Sequence, residues 1–123
     1  MKKILLAFTI MIFFKGYSQN ADAIIGKWLK TNKEDLMIEV YKVNNAYNGK
    51  INRSVDKRKP IGFVMLENLK YNTKSNSWVG GKVHDPISGR KYNATAFLKS
   101  NNTLEVSGAI LFFAKKRTFK RIK

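Results

Sequence analysis

One histidine, eight carboxylates and no cysteine define the chemistry open to this 123-residue chain. His84 beside Asp85 is its nearest approach to a base with an orienting acid, and a Ser-His-Asp triad would have to use that histidine. A metal site needs three or four ligands, and the acids other than Asp85 are scattered, so His84 reads as a strand-end residue. Glycoside hydrolysis needs two facing carboxylates. Glu39, Glu67, Asp85 and Glu105 fall in separate strands or turns, with no spacing that pairs them. Ser107 precedes Gly108 but lacks a glycine two positions earlier, so it forms no nucleophile elbow. Without cysteine there is no thiol nucleophile, iron–sulfur cluster, zinc finger, disulfide scaffold or lipid-anchored cysteine. The residues argue against an enzyme and imply no metal and no cofactor.

The elements that carry these residues read as short strands. Hydrophobic residues make up 44% and aromatics 12% of the chain, enough to bury a core. Apolar and polar residues alternate in eight runs, with no helical spacing between them. Gly26-Lys27-Trp28-Leu29 opens the first. Leu36, Ile38 and Val40 alternate up to an Asn44-Asn45 turn, and Tyr47, Gly49 and Ile51 continue beyond it as a hairpin. Residues 61–66 form a continuous apolar run, read as a strand buried on both faces or as a barrel wall. Residues 78–83 make the fifth run, and Asp85-Pro86-Ile87-Ser88-Gly89 supplies turn chemistry. Tyr92, Ala94, Ala96 and Leu98 alternate in the sixth. Leu104, Val106, Gly108 and Ile110 make the seventh. Arg117, Phe119 and Arg121 form a short last one. Eight strands of ~8 residues with turns of ~4 need about 92 residues. An antiparallel up-and-down meander of that length closes best into a barrel, because closure removes sheet edges; a flat sandwich is the alternative.

The N-terminus reads as an address. Met1-Lys2-Lys3 precedes an apolar run at residues 4–14, and Gly16-Tyr17-Ser18 offers small residues for a signal peptidase. Eleven residues at ~1.5 Å each span about 16 Å, roughly half a bilayer core, so the run reads as a Sec signal peptide; a buried N-terminal helix or an uncleaved anchor is the alternative. Cleavage is expected after Ser18, which leaves residues 19–123 as a single periplasmic or secreted domain. Loss of Lys2, Lys3 and Lys15 leaves 21 Lys and Arg against 8 acids, a net charge of +13. That charge serves solubility or attracts anionic lipids, lipopolysaccharide or acidic glycans. Nucleic acid ranks last, because export separates the two and no stacking-aromatic motif is present.

Gly26-Lys27-Trp28 resembles the opening of lipocalin-type barrels, in which the Trp closes one end beneath an Arg of the last strand. The resemblance implies that Gly26, Trp28 and Arg121 close this barrel, with the guanidinium stacked on the indole for ~0.5–2 kcal/mol. Pro60-Ile61-Gly62 and Leu69-Lys70-Tyr71 precede Trp78-x-Gly80-Gly81-Lys82-Val83-x-Asp85-Pro86-x-x-Gly89-x-x-Tyr92. With Leu104-Glu105-Val106-x-Gly108 and Thr118-Phe119-Lys120-Arg121, these resemble bacterial domain-of-unknown-function family 2147. Its members are small exported proteins with a lipocalin-like fold and no established activity. Phe119 stands where the family more often has Trp, and the Cys pair of many members is missing.

From the residues themselves, Gly80-Gly81 marks a bulge or a close backbone approach, while Asp85, Pro86 and Gly89 build the following turn. A phosphate cradle at Gly80-Gly81 lacks the helix it requires. The inward-facing set expected of a barrel is Leu36, Ile38, Val40, Gly49, Ile51, Val79, Gly81, Val83, Tyr92, Ala94, Ala96, Leu98, Leu104, Val106 and Gly108. Its small members leave room for a ligand. A lining of Val40, Ile51, Val83, Tyr92, Ala94, Ala96 and Val106 would hold one small apolar or amphiphilic molecule; a packed core is the alternative. Phe112-Phe113 beside Lys115-Lys116-Arg117 reads as a lid, a lipid-contacting edge or a loop packed on the barrel.

Overall fold

Alternating apolar and polar side chains require a sheet with one dry face, and in the computed structural model that sheet closes on itself. The structure describes residues 20–31, 36–110 and 113–122. The expected signal segment and Phe112 lie outside them. A 3-10 turn, Ala21–Ile24, leads into β1 (Gly26–Lys30), β2 (Leu36–Val43), β3 (Ala46–Ser54), β4 (Val64–Asn72), β5 (Ser77–His84), β6 (Lys91–Ser100), β7 (Thr103–Ile110) and β8 (Phe113–Ile122). Every neighbour in sequence pairs antiparallel, and β1 pairs with β8 through Trp28 opposite Arg121. The eight-stranded up-and-down barrel expected from the alternation is the fold.

Asn44-Asn45 joins β2 to β3 as a two-residue hairpin loop, with Asn44 at φ 55°. Asparagine tolerates that left-handed backbone because its short side chain bonds locally. The core gathers Trp28, Ile38, Val40, Tyr47, Leu66, Leu69, Trp78, Ala94, Ala96 and Leu104 inside the barrel.

Two bulges decide which residues reach it. In β4, Leu66 opposes Gly49 and Leu69 opposes Tyr47, so three steps on β4 match two on β3. Asn68, at φ 62°, absorbs the extra residue, and its N–H bonds Asn48 Oδ1 at 2.9 Å. In β5, Trp78 opposes Ala96 and Gly81 opposes Ala94, so Val79 and Gly80 form the bulge. Gly80 supplies φ +73°, which a residue without Cβ adopts freely.

Four expectations change. Val79 does not point inward: it pairs with exposed Lys70, and fully buried Trp78 takes the interior position because of the bulge. Residues 61–66 are not one strand. Ile61 is 70% exposed, and Phe63 N–H bonds Pro60 O in a turn that ends before β4. The last strand is long, because Lys115, Lys116 and Arg117 continue the ladder opposite Gly108, Ser107 and Val106 instead of looping away. The small interior residues do not all leave space. A Cβ on Gly81 would meet Glu67 O and Leu69 Cδ2 at 2.7 Å, and one on Gly49 would meet Leu66 at 3.1 Å.

Gly81 is therefore a close-approach site. Gly81→Ala is expected to destabilise the protein by about 1–3 kcal/mol through overpacking, read as a lower midpoint in urea at unchanged slope. An unchanged midpoint would show that β4 and β5 separate freely.

Candidate functional site

The floor of the barrel is built from the 3-10 turn. Asn20 starts it by accepting the Asp22 N–H at 2.6 Å through Oδ1. So short a helix closes only Asp22 O locally, through the Ile25 N–H at 3.0 Å, and barrel side chains supply partners for its other carbonyls. Trp78 Nε1 donates to Ala21 O at 2.9 Å, and Trp28 Nε1 donates to Ile24 O at 3.0 Å. Arg121 Nη2 and Nη1 donate to Ala23 O at 2.7 Å and Ile25 O at 3.0 Å. The guanidinium carbon lies 4.2 Å from the Trp28 ring centroid. Gly26 makes this possible: at φ +147°, a Cβ there would sit 2.8 Å from Arg121 Nη1.

Tyr47 completes the floor. Its hydroxyl donates to Asp22 Oδ1, and Lys42 Nζ lies 3.4 Å from the same oxygen. The Tyr47 hydrogen bond, reinforced by Lys42, holds the Asp22 carboxyl below its usual range. Burial, then the bond to Asp22, pushes the Tyr47 hydroxyl up to about 12 from an ordinary 10.0. A raised native value means that stability is present below pH 10 and is lost as pH climbs towards 12, where only the unfolded chain ionises. Tyr47→Phe should flatten that decline. The check is the difference in unfolding midpoint between the two proteins from pH 9 to pH 12; a constant difference would rule the linkage out.

The opposite end is hollow. A cavity of about 480 Å³ opens where β1, β5 and β7 end and β2, β6 and β8 begin. Its apolar wall is Leu36, Met65, Val83, Tyr92, Val106 and Phe119. Its rim carries Lys30, Lys59, Arg90, Lys115 and Arg117, with His84 at the end of β5. Residues paired across antiparallel strands share a face, so Arg117 opposite Val106 and Lys115 opposite Gly108 lie on the inner side. Among the described residues that line the cavity, Asp85 is the one carboxylate. Its Oδ1 accepts Ile87 N–H at 2.9 Å and Ser88 N–H at 3.4 Å, and its Oδ2 accepts the Ser88 hydroxyl at 3.0 Å. The backbone N–H of Ile87 leads in holding this carboxyl below its usual range.

The residues singled out for a ligand divide between the two ends. Val83, Tyr92 and Val106 line the cavity. Val40, Ile51, Ala94 and Ala96 are buried in the packed part and do not line it. Leu66 opposite Gly49 fills the space around them, together with Leu69 and Trp78, which the two bulges turn inward. The four acids weighed for chemistry are engaged apart from one another. Glu39 accepts from Asn52 at 2.8 Å, Glu67 pairs with His84 at 3.1 Å, and Glu105 lies 3.4 Å from Lys99 and 3.7 Å from Lys116. Among the described residues no cluster of three or more His, Asp or Glu has the placement to hold a metal ion.

The family model described as "Uncharacterized protein conserved in bacteria (DUF2147)" matches residues 26–121. The chain belongs to this family. The match runs from the Gly26 floor position to Arg121, and it contains the Val79-Gly80 bulge and the Asp85-Pro86-x-x-Gly89 turn. In this DUF2147 chain that turn closes through Gly89 N–H to Asp85 O at 2.9 Å, which sets Asp85, Pro86 and Ile87 on the cavity rim. A search of curated proteins finds no match. Among solved structures, the chain is similar to protein HP1028 from Helicobacter pylori, described as belonging to the lipocalin family. The TM-score is 0.66 at 19% identity, over 81% of this chain and 83% of that one. The fold of this DUF2147 protein is that of a lipocalin.

Sequence reading missed the floor turn, its Asp22–Tyr47 bond, and the cationic rim. The rim had a signal: in an antiparallel pairing of β7 with β8, Arg117 and Lys115 fall opposite the inward Val106 and Gly108.

Proposed function

We propose that this protein is an exported, non-enzymatic barrel that holds one small apolar or amphiphilic molecule at its open end. The observation that carries this reading is the cavity of about 480 Å³, walled by apolar side chains and set opposite a sealed floor. That volume falls in the ~300–1,000 Å³ range of small-molecule sites. Export rests on residues 1–18 acting as a Sec signal, cleaved after Ser18; the mature chain then begins just before the Asn20 cap of the floor turn. Among the described residues no helix is long and apolar enough to cross a membrane.

Displacement of a fluorescent fatty acid, with native mass spectrometry of the purified protein, tests the reading. Stoichiometric one-to-one binding supports it; no binding across lipid classes removes it. N-terminal sequencing of the exported protein, expected to begin at Gln19, tests the address. The net charge of +13 expected after cleavage favours a second reading, in which the basic surface binds anionic envelope polymers, lipids or a protein partner. Such binding must weaken from low to high salt.

A further inference from the structure

We infer that the ligand of this cavity is an anionic amphiphile, held with its apolar tail against the barrel wall and its charged head at the rim. The inference rests on the binding function proposed above and names the chemical class. Three observations meet at the open end.

The first is charge. Lys59, Arg90, Lys115 and Arg117 border one cavity, and among the described residues that line it the one carboxylate is Asp85. Asp85 already accepts two backbone N–H groups and a hydroxyl, so its oxygens are committed to the turn. Like charges gathered around a low-dielectric hollow repel one another, and an anion bound among them relieves that repulsion.

The second is placement. The register sets Arg117 and Lys115 on the inner face of β8, on the same side as Val106 and Gly108. Cations needed only for solubility belong on the outer face of a barrel, where Lys70 and Lys82 stand. An inward Arg also offers a planar fork that matches a carboxylate or phosphate.

The third is depth. Trp28, Trp78 and Tyr47 are fully or almost fully buried across the floor and close it with hydrogen bonds, so nothing threads through. A tail therefore enters from the mouth and lies along the apolar wall that includes Val83, Val106 and Phe119, which leaves the head among the cations.

Calorimetric titration of the protein with dodecanoate, dodecyl phosphate, dodecanol, dodecyltrimethylammonium and butyrate, all below micelle formation, tests this. A twelve-carbon anion is expected to bind at least tenfold tighter than dodecanol, about the effect of one charge-assisted hydrogen bond, and much tighter than the ammonium. The better of carboxylate and phosphate identifies the head. Butyrate, with almost no tail, should bind weakly. Lys115→Gln/Arg117→Gln should remove most of the preference for the anion over dodecanol, while Arg117→Lys retains part of it. Equal affinity for dodecanoate and dodecanol would overturn the charge assignment while the binding function stands. Butyrate binding as tightly as dodecanoate would reduce the site to a surface anion patch and overturn the inference. Absence of binding by every probe would remove the binding function itself.

Discussion

Trp28→Ala is expected to destabilise the protein by about 3–5 kcal/mol, the largest effect of any single substitution considered. Trp28 has no exposed surface, and it touches three different parts of the barrel. Its indole fills the floor, its Nε1 satisfies Ile24 O, and its face carries the Arg121 guanidinium. Alanine leaves a cavity that the closed sheet cannot collapse, because β1 is hydrogen-bonded to both β2 and β8. It also strands a carbonyl and removes the surface on which Arg121 rests. Domains of this size hold ~5–15 kcal/mol in total, so the variant should unfold at far lower urea. Trp28→Phe keeps most of the apolar volume and loses the N–H, and should fall between the two. A loss below 1 kcal/mol for the alanine variant would mean that the floor is not part of the cooperative core.

Arg121→Ala is the second large effect, about 2–3 kcal/mol. Arg121 Nε donates to Asn101 O at 2.7 Å, while Nη1 and Nη2 hold Ile25 O and Ala23 O, so one side chain ties the β6–β7 turn to the floor turn. Hydrogen bonds from a charged donor contribute ~1.5–3 kcal/mol in favourable settings. Arg121 is only partly buried, so water replaces some of what alanine removes, and the figure stays well below three such bonds. Lysine lacks the planar fork and reaches one carbonyl at a time, so Arg121→Lys should recover only a minor share. A double-mutant cycle with Trp28→Leu should show a coupling of ~0.5–2 kcal/mol from the stacked pair. Zero coupling would show that the two residues seal the floor independently.

Much of the architecture is legible in the sequence. Two-residue alternation, short turns and the absence of helical spacing specify antiparallel strands in chain order, because side-chain direction in a strand depends only on parity. The close juxtaposition of Gly26, Trp28 and Arg121 follows once β1 and β8 are adjacent, which closure requires. The turn at Asp85, Pro86 and Gly89 is equally local, since its hydrogen bonds run within five residues.

Parity fails at a bulge, and there the tertiary structure decided the outcome. Asn68 and Gly80 each insert a residue, so Leu69 and Trp78 turn inward and Val79 turns out. Those insertions fill the interior beside Gly49, Gly81, Ala94 and Ala96, where alternation alone leaves room. The hollow lies at the mouth, and the cations of β8 face it because the β7–β8 ladder runs unbroken into that end. Composition alone set the abundance of Lys and Arg; the three-dimensional register determined which of them point into the barrel, because inner and outer faces differ by one residue of strand.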